Sequence, residues 1–194
     1  MDIVFTTERL IVRKATDADV DLLYQLWTDP RVMVHVGFPQ GLSITRPQIA
    51  ASIQQQPESE FDCYLIVVQK DGETAVGECK LGAPNPDGIS ETDIKLLPQF
   101  WRQGYGVEIK RELVNYLFTH TDCRAVQATP NVNNIASIKM QEAVGGVRVG
   151  ESVFEFPAAL RDSTTPVHHY VYHVYRQLAA TQPPGGSEPP GGSC

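Results

Sequence analysis

The stretch FWRQGYGVEIKREL, Phe100 to Leu113, carries two glycines, Gly104 and Gly106, where a loop turns into an amphipathic helix. Ile109, Leu113 and Leu117 recur at i, i+4 and i+8, with Val114 and Phe118 beside them and Glu108, Lys110, Arg111 and Glu112 elsewhere. A helix N-terminus leaves its first amide N–H groups unpaired and carries a partial positive charge, which suits it to an anion. Glycine at the approach removes the Cβ atoms that would hold a phosphate off. A tight loop that needs glycine only for its dihedrals would look the same. Two nucleotide readings fall away at once. A dinucleotide fingerprint wants a third small residue three positions after Gly106, where this chain has Ile109, and a Walker A loop wants Gly-Lys-Ser/Thr, which is absent.

Upstream, ETDIKLLP, Glu91 to Pro98, reads as a strand that feeds this loop. Before it come CYLIVVQ, Cys63 to Gln69, the turn Lys70-Asp71-Gly72 and TAVGECKL, which predict a hairpin, and APNPDGIS is a turn-rich loop. At the N-terminal end, ERLIVRKA, Glu8 to Ala15, alternates as a first strand. Thr16 or Asp17 can cap a helix with Val20, Leu23, Leu26 and Trp27 on one face, and Pro30 stops it. A second helix opens at ITRPQIAASI, with Thr45 as N-cap, Pro47 in the first turn and Gln48 closing a capping box. Downstream of the loop helix, a short strand around CRAVQAT leads to a helix from about Asn134 to Val144, a Gly145-Gly146 stop, and strands at VRVGESVF and HHYVYHVYRQL, His168 to Leu178. Four or more meandering strands precede one helix-linked crossover. The sheet is therefore expected to be antiparallel first and mixed later, with helices on both faces.

At 194 residues and 42% hydrophobic, the chain fits one domain over residues 1–180. Residues 181–194, within TQPPGGSEPPGGSC, hold PPGGS twice and read as a flexible tail. A formal charge of −7 without a basic run argues against nucleic acid or anionic membrane as partner. The N-terminus lacks the regions of a signal peptide and no apolar run has the length of a span, so the expected location is the cytoplasm. Cys63, Cys79, Cys123 and Cys194 are scattered without a CxxC pair or histidine cluster; reduced thiols and no metal are expected.

Together and in order, TERLIVRKATDADVDLL, WTDPRVMVHVGFP, ETDIKLLPQFWRQGYGVE and NNIASIKMQEAVGGVRVGE resemble the GNAT superfamily of N-acetyltransferases, in its Rim-type branch, ribosomal-protein N-terminal acetyltransferase-like. The resemblance covers almost everything before the tail. It implies an α/β (α+β) fold, a mixed and mostly antiparallel twisted sheet of about seven strands. It implies acetyl-CoA as acyl donor and, as acceptor, a primary amine on a protein N-terminus or small molecule. The family's phosphate loop is similar to Trp101, Arg102, Gln103, Gly104, Tyr105, Gly106 and Val107, whose amides would hold the pyrophosphate. Main-chain groups of Leu96 and Leu97 would pair with the pantetheine arm, an amide near Leu97 polarising the thioester carbonyl. Asn134 and Ser137 match the family's Asn-x-x-Ser beside the leaving sulfur, and Lys139 could reach a CoA phosphate. An N-cap, a surface hydroxyl and a solvated lysine are their plainer readings. Self-association in a homo-oligomer is left open.

Direct attack of a neutral amine on the thioester needs a base, a polarised carbonyl and a proton for the thiolate, but no covalent enzyme intermediate. Glu91 and Glu78 are candidate bases and Ser137 a candidate proton source, with water able to relay in place of any one of them. Glu91 and Asp93 share one strand face, with Leu96 at opposite parity. Where many members of the superfamily carry a tyrosine one turn beyond Ser137 to protonate the thiolate, this chain has Gln141, which cannot do so. That departure keeps a second function in play, an acyl-CoA-binding sensor without turnover. His168, His169 and His173 sit on a strand among tyrosines, where half-buried structural histidines are common. Residues 30 to 45, with Arg31 and His35, fall where this fold meets its acceptor.

Overall fold

The computed structural model describes residues 2–160 and 162–176, so the tail and the end of the last expected strand, residues 177 and 178, lie outside the described residues. Eight strands form one open sheet: β1 (Ile3–Thr6), β2 (Leu10–Lys14), β3 (Leu65–Gln69), β4 (Ala75–Leu81), β5 (Ile89–Leu96), β6 (Ala125–Ala128), β7 (Val147–Phe154) and β8 (Val167–Tyr175). Their order is β1-β2-β3-β4-β5-β6-β8-β7. The strand beyond the expected seven is β1, which pairs antiparallel with β2. Its four residues bury only Phe5, too short a run for alternation to announce it. All pairings are antiparallel except β5 with β6, where Ile89, Ser90 and Glu91 face Ala125, Val126 and Gln127.

Five helices flank the sheet: α1 (Val20–Thr28), α2 (Pro30–Met33), α3 (Arg46–Gln54), α4 (Tyr105–His120) and α5 (Ile135–Ala143). Among the described residues none is long and apolar enough to cross a membrane. Pro30 ends α1 and also opens α2, because Asp29 caps the new helix by accepting the Arg31 N–H at 2.8 Å. The capping box at Thr45 and Gln48 is present. β3 is buried on both faces, and its alternation divides the core in two. Leu65 and Val67 join Ile109, Leu113 and Leu117 of α4, while Ile66 and Val68 join Leu23 and Leu26 of α1 and Ile49 of α3. Among the described residues Cys63, Cys79 and Cys123 are unpaired, buried thiols within the first of these clusters.

β5 runs five residues past its last partner in β6, whereas β6 stops at Ala128. The sheet therefore opens beyond Glu91, with α4 below the gap and α5 packed beside α4.

Candidate active site

The gap forms part of a cleft of about 600 Å³. One wall is main chain. Glu91 accepts from the Gly82 N–H at 2.7 Å and the Leu97 N–H donates to the Val76 carbonyl at 2.9 Å, so odd-numbered residues of β5 turn their main-chain groups to β4. Thr92, Ile94 and Leu96 turn theirs toward the gap that β6 leaves. The Leu97 N–H, one of the main-chain groups expected to pair with the cofactor arm, is thus committed to β4 and its side chain is buried; the amides of its neighbours Ile94 and Leu96 face the cleft. The Leu96 carbonyl is held by the Trp101 indole N–H at 2.7 Å.

Past the C-terminal end of β5 the wall meets the loop before α4. Gly104 has φ of 81° and Arg102 φ of 62°, and this left-handed pair turns the chain so that consecutive amides converge. Among the described residues the N–H groups from Arg102 to Val107 find no acceptor, and the helix's first bond is Glu108 N–H to Gly104 at 3.1 Å. Gly104 needs its glycine for the dihedral. Gly106 packs closely under α5, where a Cβ would stand 3.1 Å from Met140 Sδ. Gln103 and Tyr105, expected in the cofactor loop, are not among the residues that line the cleft. The Gln103 side chain donates to the Gln99 carbonyl, and Tyr105 is buried with its hydroxyl accepting from Gln69 at 2.7 Å.

A clamp from the β1–β2 turn holds this loop. Arg9 donates to Glu108 Oε2 at 2.7 Å and to the Gln103 carbonyl at 3.0 Å, and its guanidinium lies 4.5 Å from the Tyr105 ring centroid. Thr7 adds a hydrogen bond to Glu108 at 2.5 Å. Burial acts to raise the Glu108 pKa, and Thr7 and Arg9 overcome it to hold the carboxyl below its ordinary range. A contact across ninety-nine residues leaves no local pattern, so sequence reasoning missed it.

The opposite wall is α5. Asn134 caps it, its Oδ1 accepting the Ser137 N–H at 3.1 Å, and both residues line the cleft with Gln141. Lys139 is exposed and is not part of the lining.

The acidic candidates separate. Glu91 lines the cleft, its Oε1 accepting from Gln127 Nε2 at 2.6 Å, while Gln127 Oε1 lies 2.9 Å from His173 Nε2. Since Gln127 donates to a carboxylate, its oxygen must accept, which puts the proton of His173 on Nε2. Burial, and then Arg124, depress the His173 pKa. Glu78 is buried beneath the cleft, accepting from the Trp27 indole at 2.7 Å and pairing with Lys95 at 3.3 Å, and is not among the lining residues. Asp93 reaches deep into the cleft beside Lys95, yet about half of its side chain remains open to water. Enclosure acts to raise its pKa; Lys95, by charge and hydrogen bond, holds it below the ordinary range and is itself raised in return. The expected strand faces are observed, with Ile94 and Leu96 packed on the α4 side and Asp93 and Lys95 on the other.

Lys110 of α4 also lines the cleft, although only 1% exposed, and donates to Thr92 Oγ1. Burial brings its pKa down to about 8, against the pull of Asp93. Sequence reading set Lys110 off the apolar stripe and so missed it, although its spacing of three and four residues before Leu113 and Val114 is the signal that would have marked it. Arg31 and His35 reach the cleft from α2 and the turn after it, whereas His168, His169 and His173 do not.

The acetyltransferase (GNAT) domain family matches residues 9–147. The uncharacterised N-acetyltransferase p20 of Bacillus licheniformis is 26% identical over 147 residues, 74% of this chain and 82% of that protein. Among solved structures, the ribosomal-protein-S5-alanine acetyltransferase of Vibrio fischeri superposes with a TM-score of 0.73 at 16% identity, covering 94% of this chain and all of that one. The spermidine N-acetyltransferase of Vibrio cholerae, solved with CoA and spermine, superposes with a TM-score of 0.69 at 16% identity, covering 86% and 94%. With a parted sheet, a glycine loop opening α4 and a family match across most of its length, the chain belongs to the GNAT family of N-acetyltransferases.

Proposed function

We propose that the cleft binds acetyl-CoA and passes its acetyl group to a primary amine, of a protein N-terminus or a small molecule, by direct attack on the thioester. The observation that carries this reading is the open main-chain edge of β5, which runs from the Thr92 carbonyl to the Leu96 N–H and leads to the unpaired amides of Arg102 to Val107. An extended arm with amide groups can hydrogen-bond to such an edge as an added strand, and a pyrophosphate can take the amides at its end.

In this scheme the Ile94 or Leu96 N–H polarises the thioester carbonyl, and Asn134 and Ser137 flank the sulfur from α5. Glu91 receives the proton of the attacking amine, directly or through water, its orientation fixed by Gln127. Glu78 positions Lys95 and touches no reactant.

Calorimetric titration with acetyl-CoA, then mass spectrometry across a panel of amines and peptides, tests the proposal. Saturable binding is expected, with loss of binding in Gly104→Glu and with free CoA and an acetylated acceptor as products. Binding without turnover across the panel would replace this reading with that of an acyl-CoA sensor.

A further inference from the structure

Lys110 is the largest fully buried side chain of the described residues, and its ammonium has a hydroxyl, Thr92 Oγ1, as its hydrogen-bond partner. Among those residues it forms no ion pair. Packing alone would favour leucine or methionine here, since burying an ammonium without a carboxylate is costly.

Its location is specific. Thr92 is the first residue of β5 beyond the parallel rungs, so Lys110 stands at the point where β5 and β6 part. The unpaired amides lie at the other end of the same edge, four residues of β5 and the loop away. At about 3.3 Å per residue, the strand alone separates the two by roughly 13 Å. A linear cofactor whose phosphates sit on the loop and whose arm follows β5 brings its far end, the sulfur, to this corner. This step rests on the acetyl-CoA reading above. Across the corner, α5 presents Ser137 and Gln141 and β6 presents Ala128, none of which ionises near neutrality. On β5, Asp93 acts on Lys110 by charge but is tied to Lys95, itself paired with Glu78.

We propose that Lys110 is the acid that protonates the departing CoA thiolate, the part that Gln141 cannot play. The amine nitrogen bonds to the carbonyl carbon, the carbon–sulfur bond breaks with both electrons on sulfur, and Lys110 gives that sulfur one proton. The nitrogen's surplus proton leaves to Glu91 or water, and an equal proton from solvent restores the ammonium. A pKa of about 8 is close to that of a free thiol, about 8.5, so the transfer faces little mismatch.

Two measurements on the whole chain decide it. The first needs no acceptor: CoA bound to the wild type and to Lys110→Met is titrated by the ultraviolet absorbance of its thiolate. The bound thiol is expected to ionise about 1 pH unit lower in the wild type, because an adjacent cation favours the anion. Equal midpoints overturn the proposal. The second follows acetyl transfer to hydroxylamine, a small nucleophile already neutral across the alkaline range. Lys110→Met is expected to lower kcat about a hundredfold with little change in the acetyl-CoA KM, and to remove an alkaline limb centred near the wild-type Lys110 value. A kcat within about threefold of wild type overturns this inference alone. A wild type that binds acetyl-CoA yet acetylates neither hydroxylamine nor the amine panel brings down the acetyltransferase reading and this inference with it. If the variant does not fold, a wild-type profile with no alkaline limb is the overturning result.

Discussion

Arg13 and Asp19 meet in a fork-to-fork ion pair, with both hydrogen bonds at 2.7 Å and side chains only 12% and 6% exposed. Asp19 also accepts from the Thr16 N–H at 2.8 Å, so a single carboxylate joins β2 to the turn that opens α1. Removing one partner of such a pair leaves the other charged and dry, and Asp19→Asn is expected to cost about 3 kcal/mol in chemical denaturation. Burial acts to raise the Asp19 pKa, but Arg13 and Thr16 win and lower it. The pair's contribution is therefore full above the unfolded aspartate value of about 3.9 and is lost as pH falls through the lower folded value. The wild type and Asp19→Asn should accordingly converge in stability in strong acid. Residues of this kind were legible only in part. Glu91 and Asp93 could be placed on one face from strand parity, whereas Lys110 was set off the apolar stripe with its charged neighbours, because a lysine is not expected in a core. That Glu78 would be spent on Trp27 and Lys95, or Leu97 on Val76, depends on partners remote in the chain.

Elements were more legible than their couplings. α3 begins at its capping box and α4 at its glycine because caps are local chemistry. The short β1 escaped notice, and with it the turn that carries Thr7 and Arg9 to the loop. That clamp acts on an element's end rather than on the core. Arg9 is substantially exposed, so Arg9→Ala should barely move the melting temperature. It should instead weaken acetyl-CoA binding roughly five- to tenfold by loosening the amides it preorganises, as read by calorimetry.

Across the whole molecule, the order of motifs foretold a mixed sheet covered on both faces, because each motif marks one strand or helix in sequence. Charge distribution had no such signature. A chain of net charge −7 lines its cleft with Arg31, Lys80, Lys95, Arg102 and Lys110 against Glu91 and Asp93. An anionic donor is therefore attracted locally and repelled at long range. Because short-range attraction between partly exposed charges is screened by salt, the acetyl-CoA KM should rise severalfold between low salt and about 0.5 M. The parting of β5 from β6 has a mechanical side as well. Three rungs of parallel pairing are the ladder that joins five strands on one side to three on the other. A donor lying in the gap would act as a splint across this seam, supplying rungs that the polypeptide omits. Amide hydrogen exchange should then slow on β6 and β8 as well as on β5 when acetyl-CoA is added, and unfolding should sharpen. A ligand that filled this gap would make the two parts of the sheet move as one.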